Sequence, residues 1–272
     1  MIVKPCNQLA GLKNLEECIV DVKHWAQNNF LKLNSDKTEV LHIRSQFRKS
    51  LPLPDFVVDN ILLETSESAK NLGVILDTAL NMKAHIKKVC KSASYGIHKM
   101  GKIRKYLDKP TTERLIHAFI TSHLDYCNSL LVNLPPSHLA PLQRIQNIAA
   151  RLVTRSRFYE HITPILRHLH WLPIIQRIQF KILLFAFKIR NGQCPTYLSK
   201  LVKPKVPSSR LRASTSSHLQ LMPGPRVKTR YGDRALSVAA PKLWNCLPPH
   251  IQDAPSLDTF KTLLKTHLFK SL

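Results

Sequence analysis

The stretch MKAHIKKVCKSASYGIHKMGKIRKYL, residues 82–107, decides the fold of this chain. Its apolar residues recur every three to four positions, which is the spacing of one face of an α-helix. The apolar stripe consists of Ile86, Val89, Cys90, Ala93, Ile97, Met100 and Ile103, and the remaining face carries Lys83, Lys87, Lys88, Lys91, Lys99, Lys102, Arg104 and Lys105. The stretch therefore predicts a long helix with one apolar side and one strongly basic side.

Apolar stripes with the same spacing predict further helices before and after this one. They cover residues 12–28, 111–132, a helix capped by Ser137 that runs to about residue 152, 174–189 and 256–272. The first stripe holds Leu15, Cys18, Ile19, Val22, Trp25 and Ala26, and the last holds Leu257, Phe260, Leu263, Leu264 and Leu268. Residues 174–189 are apolar on almost every side, so we expect a central buried helix that ends at Gly192.

Short strands are predicted only in the first 81 residues. Leu31, Leu33, Val40, Leu41 and Ile43 suggest strand pieces around a polar turn. Residues 56–58 and 61–63 predict a hairpin around Asp59-Asn60, and residues 70–77 predict a single strand with Gly73 inside it. The expected fold class is mainly α, a helical body with a small α+β part at the N-terminus.

The distribution of charge divides the chain more sharply than its net value of +24. Residues 1–81 hold 9 Lys/Arg and 10 Asp/Glu, residues 82–157 hold 14 and 3, and residues 158–272 hold 18 and 4. This excess favours a polyanionic partner for the second part, although a merely soluble basic protein would have the same composition. The segment 203–230 has seven Lys/Arg, four prolines and no acid, which predicts an extended or disordered basic strap. The predicted domains are thus 1–81, 82–202, the strap 203–230 and 231–272.

Motifs for catalysis and for membrane insertion are missing from the sequence. It contains no Gly-rich phosphate loop and no Gly-x-Ser-x-Gly elbow, and only seven acids follow Asp77. His117, His123 and Cys127 share a predicted helix, but no second Cys/His pair completes a zinc site, so we expect no metal ligand in this chain. His161, His168, His170 and Trp171 are expected to be partly buried polar anchors. With no membrane-spanning run and no signal peptide, we expect an intracellular protein, nuclear or cytoplasmic and not secreted.

Several segments together resemble a known family. They are WAQNNFLKLNSDKTEVLHI (25–43), KNLGVILDTALNMKAHI (70–86), HAFITSHLDYCNSLLVNLP (117–135), LQRIQNIAARLVT (142–154), HITPILRHLHWLPI (161–174), FKILLFAFK (180–188) and YGDRALSVAAPKLWNCLPPHI (231–251). In this order and spacing they are similar to the reverse transcriptases of LINE-type, non-LTR retrotransposons, from the end of the palm through the thumb to the C-terminal region. The resemblance covers the chain from about residue 12 to its end.

The resemblance implies a right-hand RNA-directed DNA polymerase that uses two Mg²⁺ ions held by palm aspartates. In the family, the last of these aspartates lie in a Tyr/Phe-x-Asp-Asp hairpin, which we expect upstream of Met1 because the tetrapeptide does not occur here. The resemblance thus implies a fragment without catalytic aspartates, without a cofactor of its own and without polymerase activity alone. Its expected partners are RNA or DNA, as a template–primer duplex, and an upstream polymerase segment, with no membrane.

The resemblance also assigns roles to particular residues. Lys37 would reach toward the incoming triphosphate, and Gly73 would allow the backbone to approach the primer strand. Lys83, Lys87, Lys91, Lys99 and Lys102 would hold duplex phosphates on a thumb helix. The alternatives are a salt bridge from Lys37 to Asp36 or Glu39, and a solvated helix face for the other lysines. For the whole chain, a stand-alone RNA- or DNA-binding protein and an inert relic are the alternatives to a polymerase fragment.

Overall fold

A computed structural model describes residues 8–34, 37–44, 57–58, 61–62, 65–205 and 220–270. These residues divide into two compact units, an N-terminal unit within Met1–Met82 and a C-terminal unit, Lys83–Leu272. The chain is mainly α-helical, with a small α+β part near the N-terminus, so the expected fold class is confirmed. None of the described helices is long and apolar enough to cross a membrane.

The N-terminal unit begins with helix α1, Gln8–Asn28, close to the predicted bounds. Strands β1 (Val57–Val58) and β2 (Ile61–Leu62) pair antiparallel, which confirms the predicted hairpin; Asp59 and Asn60 lie outside the described residues. Strands β3 (Ser68–Asn71) and β4 (Val74–Asp77) form a second antiparallel pair. The strand pieces expected from Leu31 to Ile43 are wrong, since only an isolated parallel bridge joins Val40 to Thr65.

The C-terminal unit is built from helices of unequal length. Its longer helices are α2 (Lys83–Ile103), α3 (Lys109–Ile116), α5 (Pro136–Thr154), α7 (Ile174–Arg190), α9 (Leu236–Asn245) and α11 (Leu257–Lys270). Short helices are α4 (Ser122–Asp125), α6 (Ile162–His168), α8 (Thr196–Ser199) and α10 (Pro249–Gln252), with a π-helical segment at His117–Thr121 and 3₁₀ turns at Arg104–Tyr106, Asn128–Leu131 and Gly232–Arg234.

Helix α7 is the central buried helix, as predicted. Ile174, Ile178, Ile182, Leu183, Ala186, Phe187 and Ile189 are all buried along it. Phe187 stacks on Phe260 of α11 at 4.3 Å between ring centroids, and Trp244 of α9 lies 5.7 Å from Phe260. These three rings are almost fully buried, so they form the aromatic centre of the core.

The predicted helix ends are right in one case and wrong in two. Gly192 follows α7 with a φ of +66°, the left-handed conformation that ends many helices, as expected. The predicted helix over 111–132 runs without interruption to residue 125, through the π-helical segment and α4, but ends there because Tyr126 is extended and Cys127 adopts a φ of +51°. Ser137 is not a cap, because α5 begins at Pro136, whose missing N–H suits a first helical position.

The two ends of the predicted strap are held by the fold. Pro204 and Leu221 form an antiparallel bridge, and the side-chain amide of Asn245 exchanges two 2.9 Å hydrogen bonds with the Leu221 backbone. Leu221 is fully buried. Pro204 and Leu221 are thus fixed by the fold, residues 206–219 lie outside the described residues, and the basic strap stays a prediction.

Candidate nucleic-acid interface

Helix α2 presents one apolar face and one basic face because its apolar residues follow the helical repeat. Ile86, Ala93 and Met100 are buried, and α2 packs on α5 and on the π-helical segment. A Cβ added at Gly96 would lie 3.3 Å from both the Phe119 carbonyl oxygen and the Ile120 side chain, so the glycine permits a close crossing. The buried stripe ends at Met100, three positions earlier than predicted, since Ile103 is exposed.

The opposite face of α2 is a surface of lysines. Lys83, Lys87, Lys88, Lys91, Lys99 and Lys102 are all exposed. The helix contains no Asp or Glu, and its 21 residues span about 30 Å. We call these six residues the lysine face. Flexible, single-charged ammonium groups in this arrangement can bind phosphates along a backbone without reading a base sequence.

Arg104 does not belong to this basic surface, contrary to the prediction. Its guanidinium is buried and donates hydrogen bonds to the carbonyl oxygens of Leu152 at 2.7 Å and Val153 at 2.9 Å. A third hydrogen bond reaches the Leu107 carbonyl oxygen. Arg104 therefore caps the C-terminal carbonyl groups of α5 and fastens the end of α2 to it.

Gly73 lies in a turn and not within a strand, so the prediction of one strand over 70–77 is wrong. Leu72 and Gly73 have φ values of +46° and +84° and join β3 to β4. Positive φ at both central residues is the geometry of a type I′ hairpin, which favours glycine. The turn explains the glycine without a primer strand, and a primer contact stays a prediction.

Asp77, at the end of β4, has a structural role that the sequence reasoning missed. Its carboxylate accepts hydrogen bonds from the backbone N–H groups of Ala79 at 3.2 Å, Asn81 at 2.9 Å and Met82 at 2.8 Å. Leu80 and Met82 have positive φ values in this segment. One carboxylate thus stabilises the strained backbone that precedes α2.

Lys37 is exposed in a short polar turn. Its backbone N–H and the Thr38 hydroxyl both donate to the Asn34 carbonyl oxygen, at 3.2 Å and 2.9 Å. No ion pair joins Lys37 to Glu39 where the structure describes both residues, and Asp36 lies outside that part of the chain. The triphosphate contact of Lys37 stays a prediction.

The histidine-rich segments do not form a metal site among the described residues. His117 and His123 lie on one uninterrupted helical run, residues 109–125, whereas Cys127 lies beyond its end with a φ of +51°. No group of three potential metal ligands occurs in the described ranges. His161, His168 and His170 are exposed, so their prediction as partly buried anchors is wrong, whereas Trp171 is buried.

A cavity of about 400 Å³ lies beside the buried Trp171. The Trp171 indole N–H donates to the Glu113 carboxylate at 3.2 Å, and the Arg177 guanidinium pairs with Asp125 at 2.8 Å. The first contact joins α3 to the segment before α7, and the second joins α4 to α7. Their geometry is that of a structural network around the cavity.

In comparisons with known proteins, no family model, no curated protein and no solved structure matches this chain.

Proposed function

We propose that this chain binds template–primer nucleic acid through phosphate contacts, as the palm-end and thumb part of a LINE-type RNA-directed DNA polymerase. The lysine face of α2 is the observation that carries the proposal. Six exposed ammonium groups of one sign lie on a single helix of about 30 Å, with no acid on that helix. These like charges repel one another unless counterions or a polyanion neutralise them.

A phosphate backbone suits this surface because bound phosphates release condensed counterions, which makes affinity fall with salt. Contacts of this kind are independent of base sequence. The chain would therefore bind an RNA–DNA duplex with micromolar or weaker affinity. In the intact polymerase, Lys37 would contact the triphosphate and Gly73 the primer strand.

An upstream polymerase segment is the second proposed partner. On α1, Val22 and Trp25 are 47% and 61% exposed, and Phe30 just after the helix is fully exposed. An apolar group of this size on a small unit favours an interface with further protein.

Catalysis is not assigned to this chain by itself. The family reaction needs Mg²⁺ held by aspartates, and the residues described here offer no cluster of three acidic, histidine or cysteine ligands. We therefore derive no step through a metal and propose a binding function inside the cell, in the nucleus or the cytoplasm. A stand-alone RNA- or DNA-binding protein is the alternative that would use the same lysine face.

Salt-dependent binding of an RNA–DNA duplex tests this proposal. For the triple variant Lys87→Gln/Lys91→Gln/Lys102→Gln, the slope of log K against log salt should become shallower by about 3, roughly one per lost phosphate contact. The matched control is Lys200→Gln/Lys265→Gln/Lys270→Gln, which removes the same charge from exposed positions outside α2. Equal slopes for the two variants would show that net charge, and not the lysine face, determines binding.

Adding an upstream polymerase segment that carries the catalytic hairpin distinguishes a polymerase fragment from a stand-alone binding protein. A polymerase fragment should catalyse primer extension when the segment is supplied, and Lys37→Ala should reduce that activity. A stand-alone binding protein should bind nucleic acid equally well with and without it.

A further inference from the structure

A tight turn at residues 157–160 presents two aromatic side chains to solvent. The Glu160 N–H donates to the Arg157 carbonyl oxygen at 3.2 Å, which closes the turn just after α5. Phe158 and Tyr159 occupy its two central positions and are 88% and 74% exposed. These positions normally hold Gly, Pro, Asn, Asp or Ser, so two exposed rings there need an explanation other than turn formation.

The turn is held in place from both sides. Arg151, in the last turn of α5, donates to the carbonyl oxygens of Glu160 at 2.8 Å and Arg157 at 3.3 Å. The Glu160 carboxylate accepts the Arg157 backbone N–H at 2.7 Å. The rings are therefore attached to a backbone that is already ordered, which lowers the entropy cost of binding.

Each ring also has a guanidinium beside it. The Arg151 guanidinium carbon lies 5.6 Å from the centre of the Phe158 ring, and that of Arg157 lies 5.9 Å from the centre of the Tyr159 ring. Arg155 and Arg157 are themselves exposed. Aromatic faces next to cations are the elements that bind unpaired nucleotides, because bases stack on the rings and phosphates pair with the cations.

The turn 157–160, which follows α5 in the chain, lies close in space to the C-terminal end of α2. Arg104, directly after α2, donates to carbonyl oxygens of the last turn of α5, and Arg155 donates to the Arg104 carbonyl oxygen at 3.5 Å. At the same junction, the Lys105 ammonium lies 4.7 Å from the centre of the Tyr106 ring, which is 76% exposed. The turn and the C-terminal end of α2 therefore meet at one junction, where aromatic and basic groups are mixed.

We propose that the turn 157–160 is a stacking platform for unpaired bases at the single-stranded end of a nucleic acid whose duplex part lies on the lysine face. The inference rests on the proposed function and adds the form of nucleic acid that is preferred. Charge complementarity favours this partner over another protein or a lipid surface, since a guanidinium lies beside each ring and further lysines are exposed on α2.

The test compares a blunt RNA–DNA duplex with the same duplex carrying a short single-stranded overhang that contains 2-aminopurine. Binding is followed by anisotropy, and stacking is followed by quenching of the 2-aminopurine fluorescence. The full chain is compared with Phe158→Ala/Tyr159→Ala and with Phe158→Leu/Tyr159→Leu, which keeps apolar bulk without a ring. Phe119→Ala/Tyr197→Ala is the matched control, because it removes two exposed rings elsewhere in the C-terminal unit.

We expect the overhang to increase affinity at least about fivefold and to be quenched on binding, since stacking contributes about 1 kcal/mol or more per base. Both turn variants should lose the advantage and the quenching, keep wild-type affinity for the blunt duplex and keep the circular dichroism spectrum. The control should behave like the wild type. An unquenched overhang without advantage, or a Leu variant that keeps both signals, would overturn the platform while duplex binding stands.

Two other outcomes would reject the inference for different reasons. If the wild type binds neither duplex, the proposed function fails together with the platform. If the Ala variant loses binding to anionic lipid vesicles but not the overhang advantage, the rings are a membrane contact instead.

Discussion

Helix α11 in the C-terminal unit and helix α1 in the N-terminal unit both carry an apolar stripe, but only the first stripe is covered. Phe260, Leu264 and Leu268 of α11 are buried against the helices around α7. On α1, Val22 and Trp25 are largely exposed and Ala26 is buried. An apolar stripe thus predicts which side of a helix avoids water, but burial needs a second surface of matching size.

The C-terminal unit supplies such surfaces because several long helices surround a helix that is apolar on most sides. The described part of the N-terminal unit has one helix, two short strand pairs and an isolated bridge. Small units bury a smaller fraction of their apolar surface than large ones. Uncovered apolar surface on α1 is therefore expected of so small a unit.

The largest effect is expected from truncating the aromatic centre of the C-terminal unit. Phe260→Ala removes a fully buried ring in contact with Phe187 and Trp244, and should lower the free energy of unfolding by about 3–5 kcal/mol. Trp25→Ala, on the exposed side of α1, should change it by less than about 0.5 kcal/mol. Urea denaturation followed by circular dichroism measures both, and similar losses would contradict the contrast between the units.

A smaller effect is expected from adding a methyl group at two glycines. In Gly224→Ala the new Cβ would overlap the Ser237 carbonyl oxygen and lie 2.8 Å from the Val238 Cα, so stability should fall by about 1–3 kcal/mol. Gly101→Ala in α2 has no atom within 4 Å of the new Cβ and should stabilise by about 0.5–1 kcal/mol. Thermal unfolding of the two variants measures both changes. Equal shifts in Tm would show that the chain is packed equally closely around the two glycines.

The smallest effect is the pH dependence of the free energy of unfolding, to which one histidine in each unit contributes. Burial lowers the pKa of His85 on α2 below its usual 6.5, and the nearby Lys88 lowers it further. As pH falls below about 6.5, the unfolded chain binds a proton that the folded chain does not, so the free energy of unfolding decreases until the folded pKa is reached. Burial, and then Arg44, lowers the pKa of the half-buried His42 in the same direction.

Urea unfolding at several pH values between 7.5 and 5 measures this dependence for the wild type, His85→Gln and His42→Gln. The decrease should become smaller in His85→Gln, and the change should be weaker in His42→Gln because that side chain is less buried. A pH dependence that is unchanged in His85→Gln would show that other groups cause it.

Much of the helical architecture was predictable from local patterns. The stripe of α2, the buried character of α7 and its end at Gly192 follow from helical periodicity and from the conformational freedom of glycine. The end of the helical run 109–125 was not predictable, because the apolar spacing fits a helix that continues to residue 132. Gly73 was placed in a strand because a two-residue turn flanked by apolar residues has the same composition as a strand with one glycine.

The candidate site shows the same division. The lysine face was predicted because a basic residue on the polar side of an amphipathic helix is exposed wherever the opposite side is buried. Arg104 has the same sequence signature, but it is buried because the carbonyl groups of α5 come within its reach from about 50 positions away in the chain. The rings of Phe158 and Tyr159 gave no periodic signal, and only their exposure distinguishes them from core residues.

The sequence by itself determined the mainly helical class, the basic character of α2 and the change of charge near residue 82, since these depend on local periodicity and composition. Tertiary structure decided that α1 stays partly uncovered and that Arg104 caps a helix distant in sequence. It also decided that Phe158 and Tyr159 are exposed on a turn held by hydrogen bonds from Arg151. The physical reason is that burial and hydrogen bonding are properties of pairs of surfaces. A local pattern specifies one member of the pair, and only the folded chain shows whether the other is there.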